Sequence, residues 1–254
     1  MGFPALFYSW SIWLLSDYCH FFSGIGTKTT VIQRPSRVLP EEEPEVSDLL
    51  KIEFSAEQVM VATGRVSNAE FLKTEKTGVK LDERDYIKVN DFLETSQKNI
   101  WAFGDAIGKE MFKHVANYEA GIVWHNASHD HKVKMNFSFA PHAVFTHPQV
   151  ASVGLKQAEA KQQGYKILVG LALYRETAMG GAMGYPEGFV KVIVEEETGK
   201  ILGAHIIGAE ASILIQEIVN AMLAPNFAII TEAMHIHPAL SEVAQNAFGN
   251  LRPA

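Results

Sequence analysis

The stretch "FVKVIVEEETGKILGAHIIG", residues 189–208, constrains the fold more than any other. Two runs rich in Val and Ile flank the polar, glycine-ended tetrapeptide Glu196–Gly199. Branched side chains favour extended backbone, and a short glycine-bearing turn reverses it. The stretch therefore predicts a β-hairpin, and with it an antiparallel sheet. Its neighbours fit that sheet. "KILVGLALY" (166–174) reads as a strand, and "HAVFTHPQVASVG" (142–154) as a strand and a turn. "KQAEAKQQG" reads as a polar helix stopped by Gly164. "ASILIQEIVNAMLA" is an amphipathic helix with Ile213, Ile215, Ile218, Met222 and Leu223 near one face, and "SEVAQNAF" is a last helix.

The chain upstream has a different texture. "GIGTKTTVI" (24–32) reads as a turn feeding a strand, and "RPSRVLPEEEPEVSDLL" as a loop leading into a short helix. Gln58–Ala62 is a strand, and "LDERDYIKVN" (81–90) and "NIWAFGD" (99–105) are expected to be strands too. "HVANYEAGIVWHNAS" predicts a helix of about four turns. The polar stretch 129–136 marks the expected domain boundary. Over 254 residues, 47% apolar and 20% charged content are ordinary for a globular protein. A net charge of −7 argues against nucleic acid or an anionic membrane surface as the main partner. The single cysteine, Cys19, excludes an intrachain disulfide framework and any paired-cysteine redox motif within these residues. It suits a reducing compartment, and a cytoplasmic location is expected.

The first sixteen residues, "MGFPALFYSWSIWLLS", carry no charge. They fall short of the roughly twenty apolar residues of a spanning helix and lack a basic leader or small-residue cleavage site. A buried or disordered apolar start and a membrane anchor are two readings of them.

Several motifs carry chemistry in one reading and plain structure in another. "SGIG", Ser23–Gly26, contains GxG, but a strand follows and no third glycine does. It is read as a helix-to-strand turn, not a phosphate loop. Gln33 and Arg34, with Arg37 nearby, stand where an acid would grip a ribose. They suit a 2′-phosphate or form a solvated basic loop. In "NIWAFGD", Gly104 lets backbone approach a ligand and Asp105 can accept from sugar hydroxyls; a strand-end turn is the alternative. Met111, Phe112, Lys113 and His114 open the long helix, whose free N–H groups suit an anionic ligand atom or simple capping. His125, His129 and His131 contain a metal-like spacing without a third acidic ligand in frame, and are read as a solvated helix end. In "MHIHPALSEV", Pro238 holds His237 in a stiff turn, and Glu242 lies in the first turn of the next helix. A carboxylate there can fix the histidine's tautomer, which makes an oriented general base; a His–Pro turn with a capping Glu is the alternative.

Taken in order, "VATGR" (61–65), "NIWAFGD" (99–105), "MFKHVANYEAG" (111–121), "FTHPQVASVGL" (145–155) and "HPALSE" (237–242) resemble the C-terminal half of a pyridine nucleotide–disulfide oxidoreductase. The resemblance spans roughly residues 20–250 and is greatest to the dihydrolipoamide dehydrogenase branch, with glutathione reductase a relative. It implies an α/β fold: a truncated FAD/NAD(P)-binding Rossmann-like region over 23–132, then an α+β dimerisation domain with an antiparallel sheet over 137–250. It implies FAD and NAD or NADP as cofactors. Gly64, Gly104, Asp105, the Met111–His114 segment, Gln33 and Arg34 would be the cofactor-binding residues. His237, oriented by Glu242, would be the acid–base residue acting on a dithiol, lipoyl among the candidates, across a homodimer interface. No nucleic acid and no membrane are expected as partners.

The departures from the family are large. Neither Gly-rich fingerprint nor the two cysteines four apart are present, and about fifty residues look absent before "VATGR". Residues 1–22 match nothing in the family and are expected to be an anomalous segment joined to a genuine C-terminal half. The chain alone is expected to be incomplete and inactive; a non-catalytic dimerisation module or a gene fragment is the alternative.

Overall fold

The computed structural model describes residues 5–9, 12–27, 29–33, 42–49, 58–62, 64–184 and 187–254. They form two compact units: Met1–Gly64 with Pro141–Ala254, and Arg65–Ala140.

The first unit begins with three parallel strands, β1 (Ala5–Ser9), β2 (Thr29–Gln33) and β3 (Gln58–Ala62), in the order β2-β1-β3. Parallel neighbours need a crossover. Helix α1 (Ile12–Gly24) makes it between β1 and β2, and the short helix α2 (Pro44–Leu49) precedes β3. The uncharged start of the chain thus supplies the central strand of this sheet. The "SGIG" glycines end α1: Gly26 takes φ +88° and Thr27 N–H donates to the Phe22 carbonyl at 3.0 Å. Only glycine enters that left-handed region freely. Among the described residues, no helix is long and apolar enough to cross a membrane.

The second unit holds one long helix, α3 (Lys113–Ser128), against irregular chain. The strands expected over 81–90 and 99–105 are absent. Isolated bridges replace them, Leu81 with Ile87, Val89 with Thr95, and Glu94 with Trp101. The cause is local side-chain chemistry. Asp82 Oδ1 accepts the N–H groups of Arg84 and Tyr86, and Asn90 Oδ1 accepts those of Phe92 and Glu94. Asp85, Leu93 and Asn99 sit at positive φ. Short polar side chains turn the backbone every few residues, so no ladder extends. Leu93, Ala102, Ile107 and Ile122 form the core beneath these turns.

The rest of the first unit is a six-stranded antiparallel sheet. Its strands are β4 (His142–Val144), β5 (Gln149–Gly154), β6 (Ile167–Leu173), β7 (Phe189–Glu195), β8 (Ile201–Gly208) and β9 (Arg252–Pro253), in the order β4-β5-β8-β7-β6-β9. β7 and β8 are the expected hairpin, closed by Gly199 N–H to the Glu195 carbonyl at 2.9 Å. Helices α4 (Gln157–Gln162), α5 (Ala178–Ala182), α6 (Ala211–Ala221), α7 (Ala228–Thr231) and α8 (Ser241–Gly249) complete it. Helix α6 packs on β5 and β8, and α8 on β6 and β7. The buried stripe of α6 is Ala211, Leu214, Ile215, Ile218 and Ala221, each large member worth roughly 2 kcal/mol of burial. Ile213 and Leu223, expected on that stripe, are 65% and 73% exposed. The sheet fixes the helix rotation about a stripe centred on Leu214 and Ile218.

The face of the sheet opposite α8 carries a polar row that the apolar pattern concealed. His142 pairs with Ser152, Ser152 with His205, and His205 with Lys191, across β4, β5, β8 and β7. The acidic segment before α2 caps this row. Glu42 accepts from Ser152 Oγ at 2.5 Å and pairs with His142 Nε2 at 2.6 Å. Glu43 accepts from Gln157 N–H at 2.6 Å and from Lys191 Nζ at 3.2 Å. Burial opposes ionisation of Glu42, but hydrogen bonds from His142, His205 and Ser152 outweigh it and hold the carboxyl well below its ordinary range.

Candidate functional site

The second unit contains a cleft of about 660 Å³ lined by Arg65, Val66, Tyr86, Ile87, Asp105 and Met111 among others. Gly104 opens the 3-10 turn Gly104–Ile107 with φ +70°, and its buried backbone lies under α3. A Cβ here would stand 3.4 Å from that of Ala116, an ordinary contact, so it is the positive φ of the turn that calls for glycine. Asp105 is the next residue. Its Oδ2 accepts from Arg65 Nη1 at 2.6 Å, and the same nitrogen donates to the Met111 carbonyl at 3.4 Å. Both side chains are about half exposed, 53% and 55%, so the pair is worth little to stability. It sets a cation and an anion side by side on the cleft wall. Tyr86 Oη donates to the Arg65 carbonyl at 3.3 Å and braces that wall.

Helix α3 begins beside Met111. The cap position is Phe112 in extended conformation, a side chain that cannot accept the first-turn N–H groups. The ring of Phe112 stacks on His114, with centroids 5.5 Å apart and planes 16° from parallel. Lys113 Nζ donates to Asn117 Oδ1 at 2.8 Å along the helix. The start of α3 thus offers backbone donors and the positive end of its dipole to an anionic ligand atom.

In the first unit, the sequence-predicted pair is formed. His237 Nδ1 lies 2.9 Å from Glu242 Oε1. The other carboxylate oxygen accepts Ala239 N–H at 2.9 Å, so the carboxylate is held at both ends. That backbone bond first, then the bond with His237, keeps the Glu242 carboxyl below its ordinary range. The bond His237–Pro238 is cis, which the sequence did not indicate. His237 is 68% exposed and Glu242 20%, so the imidazole faces solvent while the carboxylate that holds it is mostly covered. His235 is placed differently: its side chain is 7% exposed, and Nε2 lies 2.9 Å from Glu217 Oε1 on α6. It ties the turn to that helix.

The remaining expected residues stand as follows. Gly64 has φ +106° and is exposed. Gln33 ends β2, its side chain lies outside the described residues, and Arg34 lies outside them altogether. His125 and His129 stack with centroids 4.5 Å apart, and His125 Nε2 contacts the His131 carbonyl at 2.9 Å. Sequence reasoning missed Arg65 as the partner of Asp105, because forty residues separate them. It also missed Glu119, which is fully buried on α3 and accepts Gly104 N–H at 2.6 Å. A lone acid on the apolar stripe of that helix was the available signal. Cys19 is buried, and burial pushes its thiol up to about 12, so it is no thiolate at neutral pH.

Comparison with known proteins gives the family and the fold. The family model "pyridine nucleotide-disulphide oxidoreductase, dimerisation domain" matches residues 140–248, and "pyridine nucleotide-disulphide oxidoreductase" matches 50–121. Mycothione reductase of Mycobacterium tuberculosis is 33% identical over 281 residues, covering 94% of this chain and 60% of that protein. Dihydrolipoyl dehydrogenase of Chlamydia muridarum is 32% identical over 263 residues, covering 89% of this chain and 56% of that protein. The chain therefore spans about 60% of the length of the curated relatives it matches. Among solved structures, LpdA of Mycobacterium tuberculosis superposes with TM-score 0.89 at 20% identity, over 98% of this chain and 62% of that one. The HOCl-induced flavoprotein disulfide reductase RclA of Escherichia coli gives TM-score 0.84 at 21% identity, over 98% and 65%. These two show the fold. On sequence and fold together, the chain belongs to the pyridine nucleotide-disulphide oxidoreductase family, whose members use FAD and NAD(P)H.

Proposed function

We propose that this chain forms the C-terminal part of an FAD-dependent disulfide oxidoreductase of the dihydrolipoamide dehydrogenase type. In this reading residues 23–132 are a partial cofactor-binding region, and 137–250 bring two subunits together as a homodimer. The observation that carries it is the His237–Glu242 bond of 2.9 Å, with Glu242 itself anchored by Ala239 N–H. Glu242 accepts from Nδ1–H and so leaves the Nε2 lone pair outward. A substrate dithiol would give its proton to Nε2: the S–H bond breaks, an N–H bond forms, and the thiolate so made would be ready to attack a redox disulfide, which must come from residues other than these, since this sequence holds one cysteine. The Glu242 carboxylate stabilises the imidazolium until the proton leaves. The lone cysteine fits the cytoplasm.

The residues of the cleft fit the ribityl and pyrophosphate portion of a flavin nucleotide. Asp105 would accept from sugar hydroxyls, Arg65 would offset charge beside it, and the backbone N–H groups from Met111 to His114 would face the ring. Bound there, the flavin would relay electrons between nicotinamide and disulfide. The fit to a nicotinamide dinucleotide is poor. The connection from β1 to α1 reads Ser9-Trp10-Ser11-Ile12, with no glycine where a pyrophosphate needs close backbone approach. No step is therefore assigned to a nicotinamide bound by this chain. The second reading, a dimerisation module without chemistry of its own, is favoured by Cys19, which is buried and has no partner cysteine in the chain.

The test is complementation. A full-length relative whose matching histidine is replaced by Ala is co-refolded with this chain, and dihydrolipoamide oxidation is measured. Activity restored by this chain and lost with His237→Ala supports the assignment. Heterodimers equally active with either version would sink it.

A further inference from the structure

Helix α3 buries four residues along one stripe: Val115, Glu119, Ile122 and Asn126. Two are polar, and the helix treats them differently. Asn126 is satisfied throughout: Nδ2 donates to the carbonyls of Phe92 and Val133, and Oδ1 accepts Val133 N–H at 2.7 Å. Glu119 is satisfied at one oxygen only. Oε2 accepts Gly104 N–H at 2.6 Å, while Oε1 is buried without a hydrogen-bond partner among the described residues. A fully buried carboxyl is costly, and an unmatched oxygen on it costs more. Packing alone would place an apolar residue here. What the carboxyl obtains is the N–H of the glycine directly before Asp105.

We propose that Glu119 is a positioning residue for Asp105: by anchoring Gly104 N–H it fixes where the Asp105 carboxylate stands in the cleft. The part of this that concerns a bound flavin rests on the function proposed above. The surroundings of Glu119 favour its protonated form relative to an exposed glutamate. Desolvation pushes its carboxyl above the ordinary range, nearby Glu110 and Asp105 push the same way, and Lys109 and the Gly104 bond oppose them. Asp105 is matched by Arg65 at 2.6 Å. Ionisation of Glu119 would add a further negative charge to those of Asp105 and Glu110, beside any pyrophosphate in the cleft.

The experiment compares wild type, Glu119→Gln and Glu119→Ala on the full chain. Three readouts are taken: hydrogen exchange at the Gly104 amide, the carboxylic-acid infrared band, and FAD affinity against pH. Gln keeps a neutral acceptor and should leave Gly104 exchange unchanged; Ala should speed it by about tenfold or more. The infrared difference between wild type and Glu119→Gln should show a carboxyl band that persists to higher pH than that of an exposed glutamate. FAD affinity should fall as pH rises through the titration of Glu119, and Glu119→Gln should abolish that dependence. Unchanged Gly104 exchange in Glu119→Ala overturns the proposal. Where Glu119→Ala does not fold, Glu119→Gln decides: no acid band and an unaltered pH profile overturn it. If wild type binds no FAD, the cofactor assignment fails, and the exchange and infrared results still judge the anchor.

Discussion

Replacing Lys191 by Met tests whether the acidic segment before α2 really caps the antiparallel sheet. Lys191 is 3% exposed and its Nζ lies 3.2 Å from Oε2 of Glu43, whose side chain is 4% exposed. Glu45, 52% exposed, stands on its other side at 3.0 Å. At an effective dielectric near 20, a charge pair at that separation attracts by about 5 kcal/mol, before the cost of removing both charges from water. Met keeps the length and apolar stem of Lys but leaves the buried Glu43 facing Gln157 N–H at 2.6 Å and, more distantly, His205 Nε2 at 3.9 Å. Stranding one member of a buried pair costs about 3–5 kcal/mol. Glu43→Gln should cost less, about 1–2 kcal/mol, since Lys191 retains Glu45. The double variant should lose less than the sum, with a coupling of about 1–3 kcal/mol. Native-state hydrogen exchange at β7 and β8 amides reads the opening free energy of this sheet by itself. If Lys191→Met leaves those amides within about 0.5 kcal/mol of wild type, the acids do not cap the sheet.

Four further outcomes are expected. Glu42 is held below its ordinary range, so its contribution is present above that range and lost as pH falls below it; exchange at β5 and β8 should accelerate on acidification, and Glu42→Gln should flatten that dependence. Gly170→Ala places a Cβ 2.0 Å from the Ala247 carbonyl on α8, and should destabilise the sheet unit by about 2 kcal/mol in urea unfolding. Glu242→Ala should release the Nδ1–H tautomer of His237, read from imidazole nitrogen shifts; an unchanged tautomer would refute the orienting role. Cys19, buried with its thiol pushed up to about 12, should resist alkylation at pH 8 in the native chain and react promptly once unfolded.

Legibility tracked the range of the forces involved. The hairpin 189–208, helix α3 and the turn from α1 to β2 follow from side-chain branching, helical spacing and glycine, all local properties. His237 and Glu242 lie five residues apart around a proline, so their meeting could be read from the chain. The strands expected at 81–90 and 99–105 failed because Asp82 and Asn90 captured backbone N–H groups, which a count of apolar residues does not register. On α6, Ile213 is as apolar as Leu214, and local pattern could not say which would face the sheet; Leu223 lies past the end of that helix.

By itself, the sequence determined the order of the motifs, the antiparallel hairpin and the meeting of His237 with Glu242, because each is set by neighbours along the chain. Tertiary structure alone decided the rest. It brought Arg65 to Asp105 across forty residues, and Glu119 to the glycine before it. It aligned His142, Ser152, His205 and Lys191 into one row and laid Glu42 and Glu43 over it, from a hundred or more residues away. The physical reason is burial. A charged or polar side chain removed from water must find its partner wherever the fold brings one, and sequence distance does not enter that requirement.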